Sequence, residues 1–518
     1  MFDKWLRLPA HLYLRITALT LLTVGIALSN VLMSIGAIWI ISNWLIEADF
    51  NSYWQKLKEK KTVWLVVAIY FFLAISLLWS DDIAYGFKDL RVKLPFIVIP
   101  VVLATSAPLS KKHFHFLLYV FLGIIFYTSV YNYIRYNYVL ENVYDIREMS
   151  VFISHVRFAI LLNFALFICI YLIYKKKFNP IIWIILFGWF LFYLYKSQII
   201  NGYILFMVLS LFTVFYFIYK LRSKKLKITI TALVLLAGLS VGFFAYSTIQ
   251  KLNTCKHVSF SELDLYTVNG NPYYHDTLDT QLENGVFVWL YVSQEEMNQE
   301  WANRSEIPYD SLDNIGQPMF GTLMRFLTSK NLRKDSVGIS ALTDADIQSI
   351  ENGQTSVQLN QGLMTRLSAF LMEYRIYSEG GDPNGHSLIQ RVEHLKAAVG
   401  IIENHWFAGV GAGDVPMAFT DQYQQMNSRL SEEHQHRSHN QFLTIWVGLG
   451  IVGFVLFILL LVWPFFELKS KDYFMIMVLL GLVISCLFQD FIETQAGVTI
   501  FGFFYSLALY RSNERELS

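Results

Sequence analysis

Apolar runs of membrane-spanning length alternate with short polar joints along most of the chain, and one long polar stretch, residues 251–437, interrupts them. A helix needs roughly 20 mostly apolar residues to cross the hydrocarbon core of a bilayer. Twelve runs meet or approach that length: 12–28, 30–48, 63–80, 92–107, 114–134, 151–173, 179–196, 199–219, 227–247, 440–466, 472–490 and 495–511. The first two share a very short turn, and 92–107 is short. The pattern predicts an all-α polytopic membrane protein of about 12 transmembrane helices with one large, mostly helical insert. Residues 1–247 would carry helices one to nine, 248–438 the insert, and 439–518 the last three helices.

Composition agrees with that reading. The chain is 55% hydrophobic and 16% charged, against about 25% charged residues in a soluble globular domain. Its net charge of +1 offers no global basic field for nucleic acid. Lys and Arg concentrate in alternate short loops, such as 56–61, 111–112, 175–177 and 220–225, while the intervening joints carry Asp81, Asp82, Glu141, Asp145, Asp490 and Glu493. Cytoplasmic loops hold the cations, so both termini are expected in the cytoplasm and the insert outside, in the periplasm of a bacterial inner membrane. Cys255 is the one cysteine in the insert, which excludes a disulfide within it and argues against a cysteine-based zinc site.

The insert does not read as a linker. It holds the apolar run Val286–Val292, a turn-rich loop at 378–385, and a helical pattern from Arg391 to Glu403 with Val392, Leu395, Ala398, Val399 and Ile402 on one face.

Several residues in and near the insert's end have chemistry to offer. Arg391 sits at the edge of that apolar stripe, where a guanidinium needs a carboxylate partner or a phosphate. Arg157 falls inside a predicted span near its outer end, where an ionisable group is either functional or snorkels to the interface. Lys196 ends the next span as an interfacial cation. His439 follows Arg437 and Ser438 and opens the tenth span with Asn440; an imidazole suits a general base. The plainer reading there is a helix capped by Ser438. His434, His436 and His439 lack the spacing of a zinc signature. Gly409–Asp414 lacks the Lys-Ser/Thr of a phosphate loop, so its glycines read as a helix stop and turn.

Taken in order, these segments resemble the O-antigen ligase and polymerase superfamily, ligase-like in type. Ser387–Arg391 is similar to that family's Ser-x3-Arg element, Trp406–Asp414 to its Gly-x-Gly turn, and Ser438–Leu443 followed by Gly448–Gly453 to its most recognisable signature. The resemblance implies a membrane glycosyltransferase that moves a glycan from an undecaprenyl-diphosphate carrier to a lipid A-core sugar, inverting and without cofactor or metal. It implies catalytic roles for Arg391, at the donor diphosphate, and His439, at the acceptor hydroxyl. Arg157, Lys196, Arg437, Asn440 and Gly411 are expected to bind substrate. One departure stands out: the family's Arg in a short outer loop is absent from Lys196–Gly202, so either Arg157 or Lys196 replaces it or the second diphosphate contact is lost. A polymerase or a protein-glycosylating enzyme of the same superfamily would share these features. A transporter or flippase would instead show paired charges near the bilayer midplane, and few are present.

Overall fold

The computed structural model describes residues 2–140, 146–253, 263–276, 282–283, 286–314, 316–357, 377, 383–384, 387–468 and 472–511. It is 74% helical, and among the described residues the one sheet is the pair Leu282–Glu283 with Val286–Phe287. Cys255 and most of the loop expected at 378–385 lie outside the described residues.

Each of the twelve apolar runs contains a helix. Among the described residues, eight helices are long and apolar enough to cross a membrane by length and composition. Tyr473–Phe488 and Gln495–Tyr510 are apolar but have 16 residues each. The run expected at 92–107 is the 12-residue helix Leu94–Thr105, about 18 Å long at 1.5 Å per residue and well short of the hydrocarbon core. Pro95 starts it cleanly, and Pro100 interrupts its ladder.

Burial sorts these helices. His155–Tyr174 is central, with 78% of its apolar window buried, while Pro180–Ser197 and Ile200–Lys220 are 28% buried. The outer pair exposes Ile181, Ile184, Ile185 and Met207, the surface a lipid environment covers.

The chain divides into two compact units, one of Met1–Leu221 with Gln390–Ser518 and one of Arg222–Ile389. The first unit therefore includes the end of the polar stretch, residues 390–438. The second has its own core around Trp301, Met319, Phe326, Leu327 and Ile339. Among its described residues are the helices Gln294–Ala302, Met319–Ser329 and Asp344–Glu351.

The helix Ser387–His405 turns a different face inward from the one its apolar stripe suggests. Leu395 and Val399 are exposed, whereas Glu393, His394, Ala397, Ala398 and Ile401 are buried. The small side chains of Ala397 and Ala398 let the helix pack closely on Val415, Phe419, Tyr423 and Val447, and that contact fixes its rotation.

Candidate functional site

The site is organised by a break in a membrane helix. Within Gln441–Val462, Gly450 takes φ 62° and ψ −165°, a conformation open essentially to glycine alone. A break strands backbone groups that hydrocarbon cannot satisfy. Here the Gly409–Gly411 turn satisfies them: Val410 N–H donates to Val447 O (2.9 Å), Gly411 N–H to Gly448 O (3.0 Å), and Ile451 N–H to Trp406 O (2.9 Å). A Cβ on Gly450 would lie 2.0 Å from Phe407 O, and one on Gly411 would lie 2.2 Å from Ser80 Oγ. Gly411 thus serves backbone packing. Its neighbours complete the seam, with Ala412 N–H donating to Ser76 Oγ and the Asp414 carboxylate accepting from Asp81 and Asp82 N–H.

That seam holds the start of the broken helix, and the loop Arg437–Asn440 leads into it. Asn440 caps the helix, its Oδ1 accepting from Phe442 and Leu443 N–H (3.0 and 3.2 Å). The cap expected at Ser438 is therefore made two residues later. Ser438 is buried and hydrogen-bonds Asn440 O and the Thr444 hydroxyl. His439 has φ 51°, in the left-handed region, which His tolerates better than most residues. Asp490 fixes this turn: its Oδ2 accepts from His439 N–H at 3.0 Å and its Oδ1 from Thr444 Oγ1 at 2.6 Å. His439 Nδ1 lies 3.6 Å from Asp490 Oδ2, beyond a good hydrogen bond.

Three imidazoles gather above the turn. The rings of His394 and His439 are 5.1 Å apart, His394 and His436 5.8 Å, and His436 and His439 6.0 Å. His394 Nε2–H donates to His434 O at 2.9 Å, and its Nδ1 is buried without a hydrogen-bond partner among the described residues. Arg391 lies one turn before His394, half-buried. Its charge acts on both rings. Burial first, then the neighbouring His394, Arg391 and His436, push His439 down to about 3. Burial first, with His436 and Arg391 adding to it and the His434 carbonyl opposing, pushes His394 down to about 4. Both rings are neutral at physiological pH. Among the described residues no three His, Cys, Asp or Glu side chains are placed to hold a metal ion.

Beneath the loop runs a buried ionic network. Lys93 Nζ contacts Asp89 (2.7 Å) and Glu493 (2.9 Å), and Arg437 pairs with Glu493 (2.5 Å) and with the Tyr85 hydroxyl. Gln441 Nε2 donates to Glu493 Oε1, and its own carbonyl accepts from Ile492 N–H. Burial would raise Glu493, but Lys93 and Arg437 outweigh it and hold the carboxylate ionised. Burial alone would lower Arg437; Glu493, Tyr85 and Asp89 reverse that.

The structure thus brings together Arg391, His439, Arg437 and Asn440, and gives the last two ion-pairing and capping work. Gly411 stands behind them in the seam. Arg157, in the first turn of His155–Tyr174, is half-buried with no ion pair or hydrogen bond among the described residues. Lys196 is exposed, its Nζ 6.0 Å above the Phe192 ring. Neither contacts Arg391 or His439. Sequence reasoning missed His394, Asp490 and Glu493. His394 follows Arg391 by three residues, a helical spacing that was available as a signal. Asp490 and Glu493 flank an apolar run like any loop acids, and nothing in their spacing ties them to His439.

With this geometry, the chain is a multi-pass helical membrane protein whose polar site sits against a broken span. Residues 339–458 match the family model described as O-Antigen ligase, and the matched stretch holds Arg391, His394, the Gly409–Asp414 turn and His439. The match supports membership of the O-antigen ligase superfamily. It indicates a membrane glycosyltransferase-like enzyme of ligase or polymerase type, with a lipid-linked glycan and a glycan acceptor as its partners in the general sense. A comparison with curated proteins finds no match.

Proposed function

We propose that this protein is an O-antigen ligase of the bacterial inner membrane. It takes a glycan from an undecaprenyl-diphosphate carrier and places it on a lipid A-core sugar at the periplasmic face, with both termini in the cytoplasm. The observation that carries this reading is the convergence of the Arg391 guanidinium and the neutral His439 imidazole where a capped membrane helix begins.

The acceptor hydroxyl oxygen attacks the anomeric carbon as the bond to the diphosphate breaks, with inversion. His439 accepts the hydroxyl proton. Arg391 stabilises the charge that develops on the leaving diphosphate, where fixed cations act most strongly. Arg157, lacking a counter-charge among the described residues, is the second candidate for that diphosphate, with Lys196 at the interface as the third. A base as weak as His439 in the empty site needs strengthening. Burial is the main reason the imidazole is so weak a base, and the arriving diphosphate relieves the lesser part that comes from the Arg391 charge while its own charge favours the protonated ring. In this reading the guanidinium takes the neutralising task of a metal. Asp490 holds the His439 backbone, and the Lys93–Glu493–Arg437 network holds the loop from below.

The test is removal of the gene followed by gel analysis of the cell's lipopolysaccharide. Loss of all long chains with accumulation of lipid-linked polymer is expected. Core bearing a single repeat would indicate a polymerase instead, and unchanged glycans would overturn both.

A further inference from the structure

A second concave surface in the same unit is chemically unlike the Arg391–His439 site. It is a groove of about 350 Å³ formed where Ser387–His405 and Val415–Gln425 meet the Gly409–Val410 turn. Trp79, Asp81, His405, Asp421, Gln422 and Gln425 line it. Among the described residues, the Asp81, His405, Asp421, Gln422 and Gln425 side chains have no hydrogen-bond or ion-pair partner, so their polar groups are open to a ligand. None of Arg391, His394, Arg437 or His439 lines it. His405 follows Arg391 by 14 residues along one helix, which is about 21 Å at 1.5 Å per residue.

The lining points to the ligand. The volume is that of a small-molecule site. Three carboxylates line it, Asp81, Asp414 and Asp421, none with a counter-charge among the described residues, and they repel phosphate and acidic groups. Each Gln side chain both donates and accepts, which matches neighbouring hydroxyls on one ring. Trp79, 38% exposed, presents a broad apolar face with a polar N–H at its edge, suited to the C–H face of a sugar.

We propose that this groove is a glycan subsite for uncharged sugar residues, holding part of a saccharide substrate away from the bond being made. This rests on the glycan-transferring function proposed above. Binding energy gathered so far from the reacting carbon positions the chain for transfer. Its helix then serves both ends of the substrate, with Arg391 at the diphosphate and His405 at the remote sugars.

The test uses the purified full-length protein in detergent and two soluble probes, a neutral N-acetylglucosamine tetramer and an acidic galacturonic acid tetramer, read by saturation-transfer difference NMR. The neutral probe should give a signal with the unaltered protein and with His439→Ala, and the acidic probe should give none. Trp79→Leu should reduce the neutral signal at least fivefold, and Trp79→Phe should restore most of it. Asp421→Asn combined with Gln425→Ala, both exposed positions on a helix surface, should weaken binding severalfold with an unchanged melting midpoint. No neutral signal with the unaltered protein, or equal signals from protein and variants, would overturn the subsite. Undiminished glycan transfer by His439→Ala, with binding in the groove intact, would overturn the catalytic assignment and leave the subsite standing.

Discussion

Asp490 holds His439 by its backbone: the His439 N–H donates to Asp490 Oδ2 at 3.0 Å, across 51 residues of chain. The same carboxylate accepts from the Thr444 hydroxyl through Oδ1, so one side chain locks both the left-handed turn and the first turn of the broken helix. Asp490→Ala orphans two donors, at a cost of about 1–3 kcal/mol for a buried group left without a partner. Displacing a catalytic imidazole by about 1 Å is enough for a hundredfold loss of rate. Asp490→Asn keeps a carbonyl acceptor and should lose less on both counts. Melting midpoints and transfer rates of the two variants check this; equal behaviour of Ala and Asn would contradict it.

Gly450 is the position least able to change. Any side chain there must adopt φ 62° with ψ −165° and place its Cβ 2.0 Å from Phe407 O. Strained backbone alone costs about 1–3 kcal/mol, and the clash adds to it. Gly450→Ala should lower the yield of folded protein sharply, as read by size-exclusion chromatography of detergent extracts. Val452→Ala, on an exposed position two residues on, should leave the yield unchanged.

Much of this architecture was legible in the chain. Each apolar run marked a helix because lipid demands continuous apolar length, while 92–107, counted as a span though short, holds a helix of only 12 residues. Arg391 and His439 were legible as candidates because an ionisable group at a membrane boundary requires a reason. The break at Gly450 was not legible. Glycine is common in membrane helices, and only the docking of Gly409–Gly411 against Val447 and Gly448 shows why it is needed. The rotation of Ser387–His405 was hidden for a similar reason. Its exposed Leu395 and Val399 satisfy the apolar pattern, while the buried face carries Glu393 and His394, with the Glu393 carboxylate accepting from the Ser428 hydroxyl.

The ionic network should behave as a unit. The Glu493 and Lys93 side chains are 8% and 11% exposed. Removing one member of a buried pair typically costs about 3–5 kcal/mol, because the other charge is left uncompensated. Glu493→Ala takes the carboxylate from Arg437 and leaves Lys93 paired with Asp89 alone, and its cost should fall within that range. Adding Arg437→Met, which leaves the Lys93–Asp89 pair intact, should recover part of the loss. A double-mutant cycle by thermal unfolding measures the coupling; additive effects would show that the charges act independently.

Acid should weaken the protein through its imidazoles. Unfolded His takes up a proton near 6.5, whereas His394 and His439 do so in the folded state only at about 4 and about 3. Between those values the unfolded chain binds more protons, so stability rises with pH. The contribution is complete above about 6.5 and is lost as pH falls toward 4. His394→Gln should flatten the melting midpoint's dependence on pH between 4 and 7. Parallel curves for variant and unaltered protein would contradict the assignment.

The most direct measurement is glycan transfer in proteoliposomes containing the purified protein, an undecaprenyl-diphosphate-linked glycan and lipid A-core acceptor. The unaltered protein should form the ligated product, while Arg391→Ala and His439→Ala, each incorporated and folded to the same level, should form none above background. Product formation by both variants at the unaltered rate would contradict the account.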